Sequence, residues 1–449
     1  MHLKNPKAKK TKKPLKRSLT GFEIELMLLN NKGHVINKAD KVIRVVKKAN
    51  PDLPIIKECA KNMIELGCYP DVRTYSSALD LLRGLQQVHR IAKKLDLNLH
   101  FIGTYPGKFD PAMRKDPNYN IKKQIFGPER FVIAGRCIGF HSHYTLPKAV
   151  YDHKNKRLRL MINSKLKRSM LNSYNFEIAV DPALTLLLQS SPFYQGMPIA
   201  KDSRVVVYRG GKKLKYMEGL YAKLQQIGGL QPYKQTGYDL FHTIDRKVER
   251  WKREIRKVDK EVNIDKMYKN KLDMNWNPVK INAHGTLEQR GMDMNYPSHL
   301  IAVSVLLKFC LKKIQREFIE VLPTDIGVEE PFKLENNILH IPPHSIVRNR
   351  LQYHSAYHGF ENKQVADYTK RFYKFAKSIT SKYYNKILKP INDIVNEERT
   401  VSDKIITRAR RMGWEKGYLD KPTAAELALK LSSTLESDLK NTIVLLEKI

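Results

Sequence analysis

The stretch Leu19-Thr20-Gly21-Phe22-Glu23-Ile24-Glu25-Leu26-Met27-Leu28-Leu29 is an apolar run interrupted by two carboxylates set one residue apart. Side chains on a β-strand alternate between faces, so Glu23 and Glu25 share one face while Phe22, Ile24 and Leu26 share the other. Two later stretches repeat the device with other chemistry. In Gly139-Phe140-His141-Ser142-His143-Tyr144 a pair of imidazoles shares a face, and in Thr286-Leu287-Glu288-Gln289-Arg290 a carboxylate shares one with a guanidinium. Taken singly, each pair reads as the polar side of a half-buried antiparallel strand or as a cross-strand ion pair. If the three strands lie in one sheet, their polar faces form a single surface that can hold metal ions and an anionic substrate.

The chain has 449 residues, more than one hydrophobic core usually serves, and 42% apolar content is enough for a substantial core. A formal charge of +37 invites a nucleic-acid reading through phosphate neutralisation. Residues 1 to 17 hold eight Lys or Arg and no acid, and predict a disordered basic arm. The remaining surplus is spread as Lys among Asn and Tyr without an aromatic–basic motif, which reads as a solvated basic surface. Cys59, Cys68, Cys137 and Cys310 form no Cys-x-x-Cys pair, as expected of a cytoplasmic protein. The longest nearly apolar run, Leu300 to Leu307, falls far short of the ~20 residues of a membrane span.

Along the chain, the spacing predicts helices over Lys38 to Ala49 and Asp71 to Leu97. A further strand lies within Ile56 to Leu66, with Met63 and Glu65 on one face. Residues 165–188 read as a helix broken near Asp181-Pro182, and Asp245 to Glu261 as a solvated charged helix. Ser298 to Phe318 reads as a helix with an apolar face. Gln364 to Ile449 is largely helical, with Pro390 and Gly413 as breaks. Strands and helices mix without strict βα alternation, so the fold class is α+β with an antiparallel sheet. Neither a P-loop nor a Gly-x-Gly-x-x-Gly fingerprint is present.

Six motifs recur in a recognisable order: Gly21-Phe22-Glu23-Ile24-Glu25, Met63-Ile64-Glu65-Leu66, Gly103-Thr104-Tyr105-Pro106, Gly139-Phe140-His141-Ser142-His143, Ser190-Ser191-Pro192-Phe193-Tyr194-Gln195-Gly196 and Gly285-Thr286-Leu287-Glu288-Gln289-Arg290. Over about residues 19 to 360 this order resembles the glutamate-cysteine ligase type 2 family of carboxylate-amine ligases. The resemblance implies a glutamine-synthetase-like fold, in which an antiparallel sheet walls an active-site funnel flanked by helices. It implies a catalytic domain over 18–360 and a helical region over 361–449, packed on that domain or extending it. It implies ATP-dependent amide formation through an acyl phosphate, with glutamate and an amine such as cysteine as substrates, and ATP with Mg²⁺ or Mn²⁺ as cofactors. Glu23, Glu25, Glu65, His141 and Glu288 then match metal ligands. His141, His143 and Arg290 match nucleotide-binding positions, and Arg290, Glu288 and Arg204 would carry catalysis by positioning and charge neutralisation.

The chain departs from the family pattern at Tyr105, where the family often has His, and at Lys280, one residue out of register with a family Arg. Two other readings use the same residues. One is a hydrolase in which a metal activates water at the His/Glu cluster. The other is a nucleic-acid-binding protein built on such an enzyme, whose binding would weaken steeply with salt.

Overall fold

The computed structural model describes residues 18–159 and 164–449, so the basic arm of residues 1–17 lies outside the described residues. The central sheet is built from β1 (Thr20–Leu29), β2 (Ile55–Lys57), β3 (Met63–Gly67), β4 (Asn98–His100) and β5 (Gly139–Thr145). A small hairpin of β6 (Tyr151–Asp152) and β7 (Arg157–Leu158) follows, and β8 (Val279–Ile281) and β9 (Thr286–Asp293) complete the sheet. The strand order is β2-β3-β1-β5-β9-β8, with β4 pairing to the far end of β1. Every pairing within this central sheet is antiparallel, as the irregular mixing of strand and helix patterns predicts.

Register carries the chemistry. Glu23 lies opposite His141 and Glu25 opposite Glu65, while His143 and Lys280 both lie opposite Glu288. Residues opposite each other across an antiparallel pair project to the same side, so all three pairs read from the sequence share one face. On β1 the alternate residues Phe22, Ile24 and Leu26 are fully buried. The pairing of β5 with β9 shifts between Phe140 and Ser142, where β9 carries one extra residue at Arg290–Gly291. This bulge reverses the alternation along β9. Glu288 and Arg290 stay on the polar side while Met292, opposite Phe140, enters the core.

The helices Thr74–Lys94, Lys165–Leu188 and Pro297–Glu317 pack on the sheet and on one another. Lys165–Leu188 is one unbroken helix and does not stop at Pro182. Proline removes an N–H and loosens the turn before it, and there Tyr368 donates its hydroxyl to the Ala179 carbonyl. Pro390 likewise begins the helix Lys389–Glu397 rather than breaking one, because the first turn needs no donor from it. The helices Lys363–Ile379, Lys421–Ser432 and Leu435–Leu446 share a single hydrophobic core with β1: Phe372, Leu427 and Leu435 are fully buried in it.

The helix Gly237–Val258 differs from its expected solvated form. Leu240, Ile244, Val248, Trp251 and Ile255 form an apolar stripe at helical spacing, with Trp251 fully buried, and the charges occupy the remaining faces. Lys247 lies within that stripe and donates to the Asn277 side chain at 2.6 Å. Burial, with Lys234 and Lys280 nearby, pushes its ammonium down to about 7. Between that value and the ordinary lysine range the unfolded chain binds the proton that the folded chain releases, so stability rises with pH across this window. Lys247→Met is expected to raise the melting temperature at pH 7.5, and the gain should shrink as the pH approaches 10. A pH-independent difference in thermal melts would contradict this.

Candidate active site

The polar face of the sheet walls a cavity of about 250 Å³. Glu23, Glu25, Glu65, His141, Glu288 and Arg290 all line it. Four strands, β1, β3, β5 and β9, therefore bring together residues that lie far apart in sequence. Glu23 Oε2 is 3.1 Å from His141 Nδ1 and 3.3 Å from His143 Nε2. Glu25 accepts the Gly139 N–H at 2.6 Å and places its other oxygen 3.7 Å from His141 Nε2. Glu288 Oε1 lies 3.6 Å from Arg290 and 3.9 Å from His141.

Two groups of three side chains can each hold a metal ion: Glu23, His141 and Glu288, and Glu25, Glu65 and His141. Within each group the ligand atoms lie within 4.8 Å of one another. His141 is common to both, and its Nε2 is buried with no hydrogen-bond partner. A buried, unpartnered imidazole nitrogen facing a carboxylate fits a divalent cation.

His143 stands behind this set and does not line the cavity. Thr286 donates to the Asn282 carbonyl oxygen at 2.9 Å, so its hydroxyl oxygen accepts from His143 Nδ1 at 3.0 Å. That leaves Nε2 facing Glu23. Asn282 also donates to Glu288 Oε2 at 3.0 Å. A single Asn–Thr pair thus fixes both a histidine and a carboxylate. Arg204 also lies off the main cavity. It packs against Gly139, where a Cβ would come within 2.1 Å of its guanidinium, reaches the Arg290 carbonyl at 3.5 Å, and stacks over Tyr208. Lys280, one residue out of register in the sequence comparison, sits 4.0 Å from Glu288. Tyr105 is in the core and donates to the Gly33 carbonyl.

Charge divides unevenly over the cavity wall. Burial would raise the carboxyl of Glu23, but His143 and His141 outweigh it and hold Glu23 well below its usual range. Burial acts likewise on Glu288, where Lys280, Arg290 and the two histidines prevail and bring it to about 2. Burial resists the charged imidazole of His143, yet Glu23 holds it raised. Glu65 has no such partner: burial and the adjacent Glu58, Glu23 and Glu25 push it well above the usual carboxyl range.

Several cavity residues escape the period-two search. Glu58 follows β2 and has no partner two residues away; burial and Glu25 raise its pKa, and it is hydrogen-bonded to Glu65. The cavity is also lined by Tyr119, Phe126, Phe131, Tyr208, Tyr221 and Trp276, with Lys122 among them. These come from helices and loops, where no strand alternation marks them. Glu58, flanked by Lys57 and followed by Lys61, carries no local signal that sets it apart from a surface acid.

No protein-family model and no curated protein sequence matches the chain. Among solved structures, the chain superposes on a bifunctional glutathione synthetase from Pasteurella multocida with a TM-score of 0.59 at 14% identity, covering 93% of this chain and 53% of that one. It thus spans about half the length of that protein. It also superposes on a glutamate–cysteine ligase from Francisella tularensis, solved in complex with AMP, with a TM-score of 0.53 at 12% identity. There the match covers 96% of this chain and 93% of that one. The α+β fold with an antiparallel sheet is therefore shared with a glutamate–cysteine ligase, as the sequence motifs imply. Among the described residues no helix is long and apolar enough to cross a membrane.

The crowded carboxylates yield a direct test. A divalent ion that binds only the folded state stabilises it by about 2.7 kcal/mol at a hundredfold excess over its Kd. Mn²⁺ or Mg²⁺ is expected to raise the melting temperature. Glu65→Gln, which removes one crowded carboxyl and can still donate to Glu58, should raise the metal-free value and reduce the metal increment. An unchanged metal increment in Glu65→Gln would exclude this residue from ion binding.

Proposed function

We propose that the protein is an ATP-dependent carboxylate-amine ligase. The observation that carries this reading is His141 shared between two carboxylate groups, beside Arg290, in a cavity walled by one sheet face. Mg²⁺ binds through a few carboxylates together with substrate phosphates, and Glu23, Glu25, Glu65, His141 and Glu288 supply such a set. When bound, the ions neutralise phosphate oxygens and draw the substrates together.

The chain's own residues do the rest. Arg290 presents a planar fork of donors to the phosphoryl group in transit, and Glu288 beside it holds that fork in place. Arg204, packed behind the Arg290 carbonyl, positions the strand from the rear. The substrate carboxylate attacks the γ-phosphorus of ATP and releases ADP. The amine then attacks the acyl carbon, loses a proton and expels phosphate, leaving an amide. Positioning and charge stabilisation suffice for both steps, as in other phosphoryl transfers. Glutamate with an amino acid such as cysteine is the substrate pair to try first. The catalytic domain comprises residues 18–360, and the helices of 361–449 buttress it through the shared core.

Phosphate release from ATP and Mg²⁺ should require a pair of amino acids and should yield ADP. Glu288→Gln and Arg290→Lys are each expected to lower kcat by about 10²-fold or more, the scale for loss of one preorganised charge contact. Absence of release under every pairing, from folded and metal-saturated protein, would end the ligase reading.

A further inference from the structure

Lys122 is the one cavity cation whose place the reading above leaves unexplained. It lies on the helix Pro117–Phe126, whose start is fixed by the Asp116 side chain accepting the Asn118 N–H and by Pro117 in the first turn. Its ammonium sits 4.5 Å from the ring centre of Trp276 and 5.5 Å from that of Tyr119. Among the described residues it has no hydrogen bond and no carboxylate within ion-pair distance. Burial pushes its pKa down to about 8, and Glu58 is near enough to act on it only through space.

Lys122 is half-buried; aromatic faces attract its ammonium but do not neutralise it, and a partly desolvated charge without a counter-ion costs the protein stability. A group in that condition, on a cavity wall, is arranged for a ligand that supplies the missing charge. The polar side of the cavity already presents Arg290 and the metal-binding carboxylates for phosphates. Lys122 itself is set against the rings of Tyr119 and Trp276, a setting that matches one carboxylate on a carbon skeleton rather than a polyphosphate.

We infer that Lys122, its ammonium held against the rings of Tyr119 and Trp276, is the anion-recognition residue of the cavity and receives there a carboxylate group of a non-nucleotide substrate. This inference rests on the ligase reading for what else the cavity binds. The carboxylate comes either from the acyl substrate, which is then a dicarboxylate, or from an amine substrate that is itself an amino acid. Under either source a substrate lacking this second carboxylate is excluded.

Calorimetric titration without nucleotide tests it, using the common amino acids, succinate, glutarate and adipate, with L-alaninamide as the counterpart lacking a carboxylate and inorganic phosphate and ADP as controls. Wild type is expected to bind at least one carboxylate and not the amide. Lys122→Met should weaken that binding at least tenfold, whereas Lys122→Arg should retain most of it. Thermal melts add a readout that a purely structural lysine would move the other way: Lys122→Met should raise the melting temperature of the ligand-free protein. In steady-state turnover, the substrate whose KM rises in Lys122→Met identifies the source of the carboxylate, with the KM for ATP unchanged.

Binding of phosphate or ADP alone, equal carboxylate affinity in wild type and Lys122→Met, no carboxylate binding, or a lower melting temperature in the variant overturns the inference. Lys122-dependent carboxylate binding without ATP turnover defeats the ligase reading and leaves the inference standing. Turnover with unaltered KM values in Lys122→Met does the reverse.

Discussion

The structure depends on keeping mutually repelling carboxylates on one side of a pleated sheet whose other side is hydrophobic. β1 is the strand where both demands meet, with Glu23 and Glu25 alternating with Phe22, Ile24 and Leu26. Slipping any partner strand by one residue would drive its charged side chains into the core and its apolar ones into the cavity. The core side therefore enforces the geometry of the polar side. Its opposing charges are placed by register as well: His141 opposite Glu23, and His143 and Lys280 opposite Glu288. Where no cation stands opposite, as at Glu25 and Glu65, the carboxyl of Glu65 rises well above its usual range.

Strand alternation is what made this face readable from the amino-acid sequence. Each pair two residues apart was visible because the strand repeat is short and strict, and the order of the motifs indicated that the pairs belong together. Two kinds of feature escaped that repeat. The bulge at Arg290–Gly291 is a property of pairing between strands and leaves no local pattern on β9 alone. The aromatic wall is assembled from residues such as Tyr119, Tyr208 and Trp276, whose proximity is decided by packing. The charged helix Gly237–Val258 was misjudged for a related reason: high charge density masks an apolar stripe that includes Trp251. Pro182 was read as a break because local propensity favours one, while the buried surroundings of its helix hold it through.

The cavity lining is of two kinds. Glu23, Glu288, His141 and Arg290 lie close to one another, and Tyr119, Phe126, Phe131, Tyr208, Tyr221 and Trp276 supply aromatic surface. Such a lining suits two binding partners of different character, one highly charged and one with a carbon framework. It also explains why the supporting residues Asn282, Thr286 and His143 crowd behind the ionised residues, where small displacements of a carboxylate matter most.

The central position of β1 has a consequence for how the molecule comes into being. β1 is made well before its partners, and its polar face is completed only when β5 has paired with it and β9 has paired with β5. A ribosome must pass Asp293 before the last of those strands exists, and the helix Leu435–Leu446 that packs on Thr74–Lys94 emerges later still. Contacts of such long sequence separation form slowly and leave strand edges exposed in the meantime. Until then a nascent chain holds an early strand with apolar and acidic faces and no lasting neighbour on one side. Its competence to assemble therefore rests on residues translated long after it.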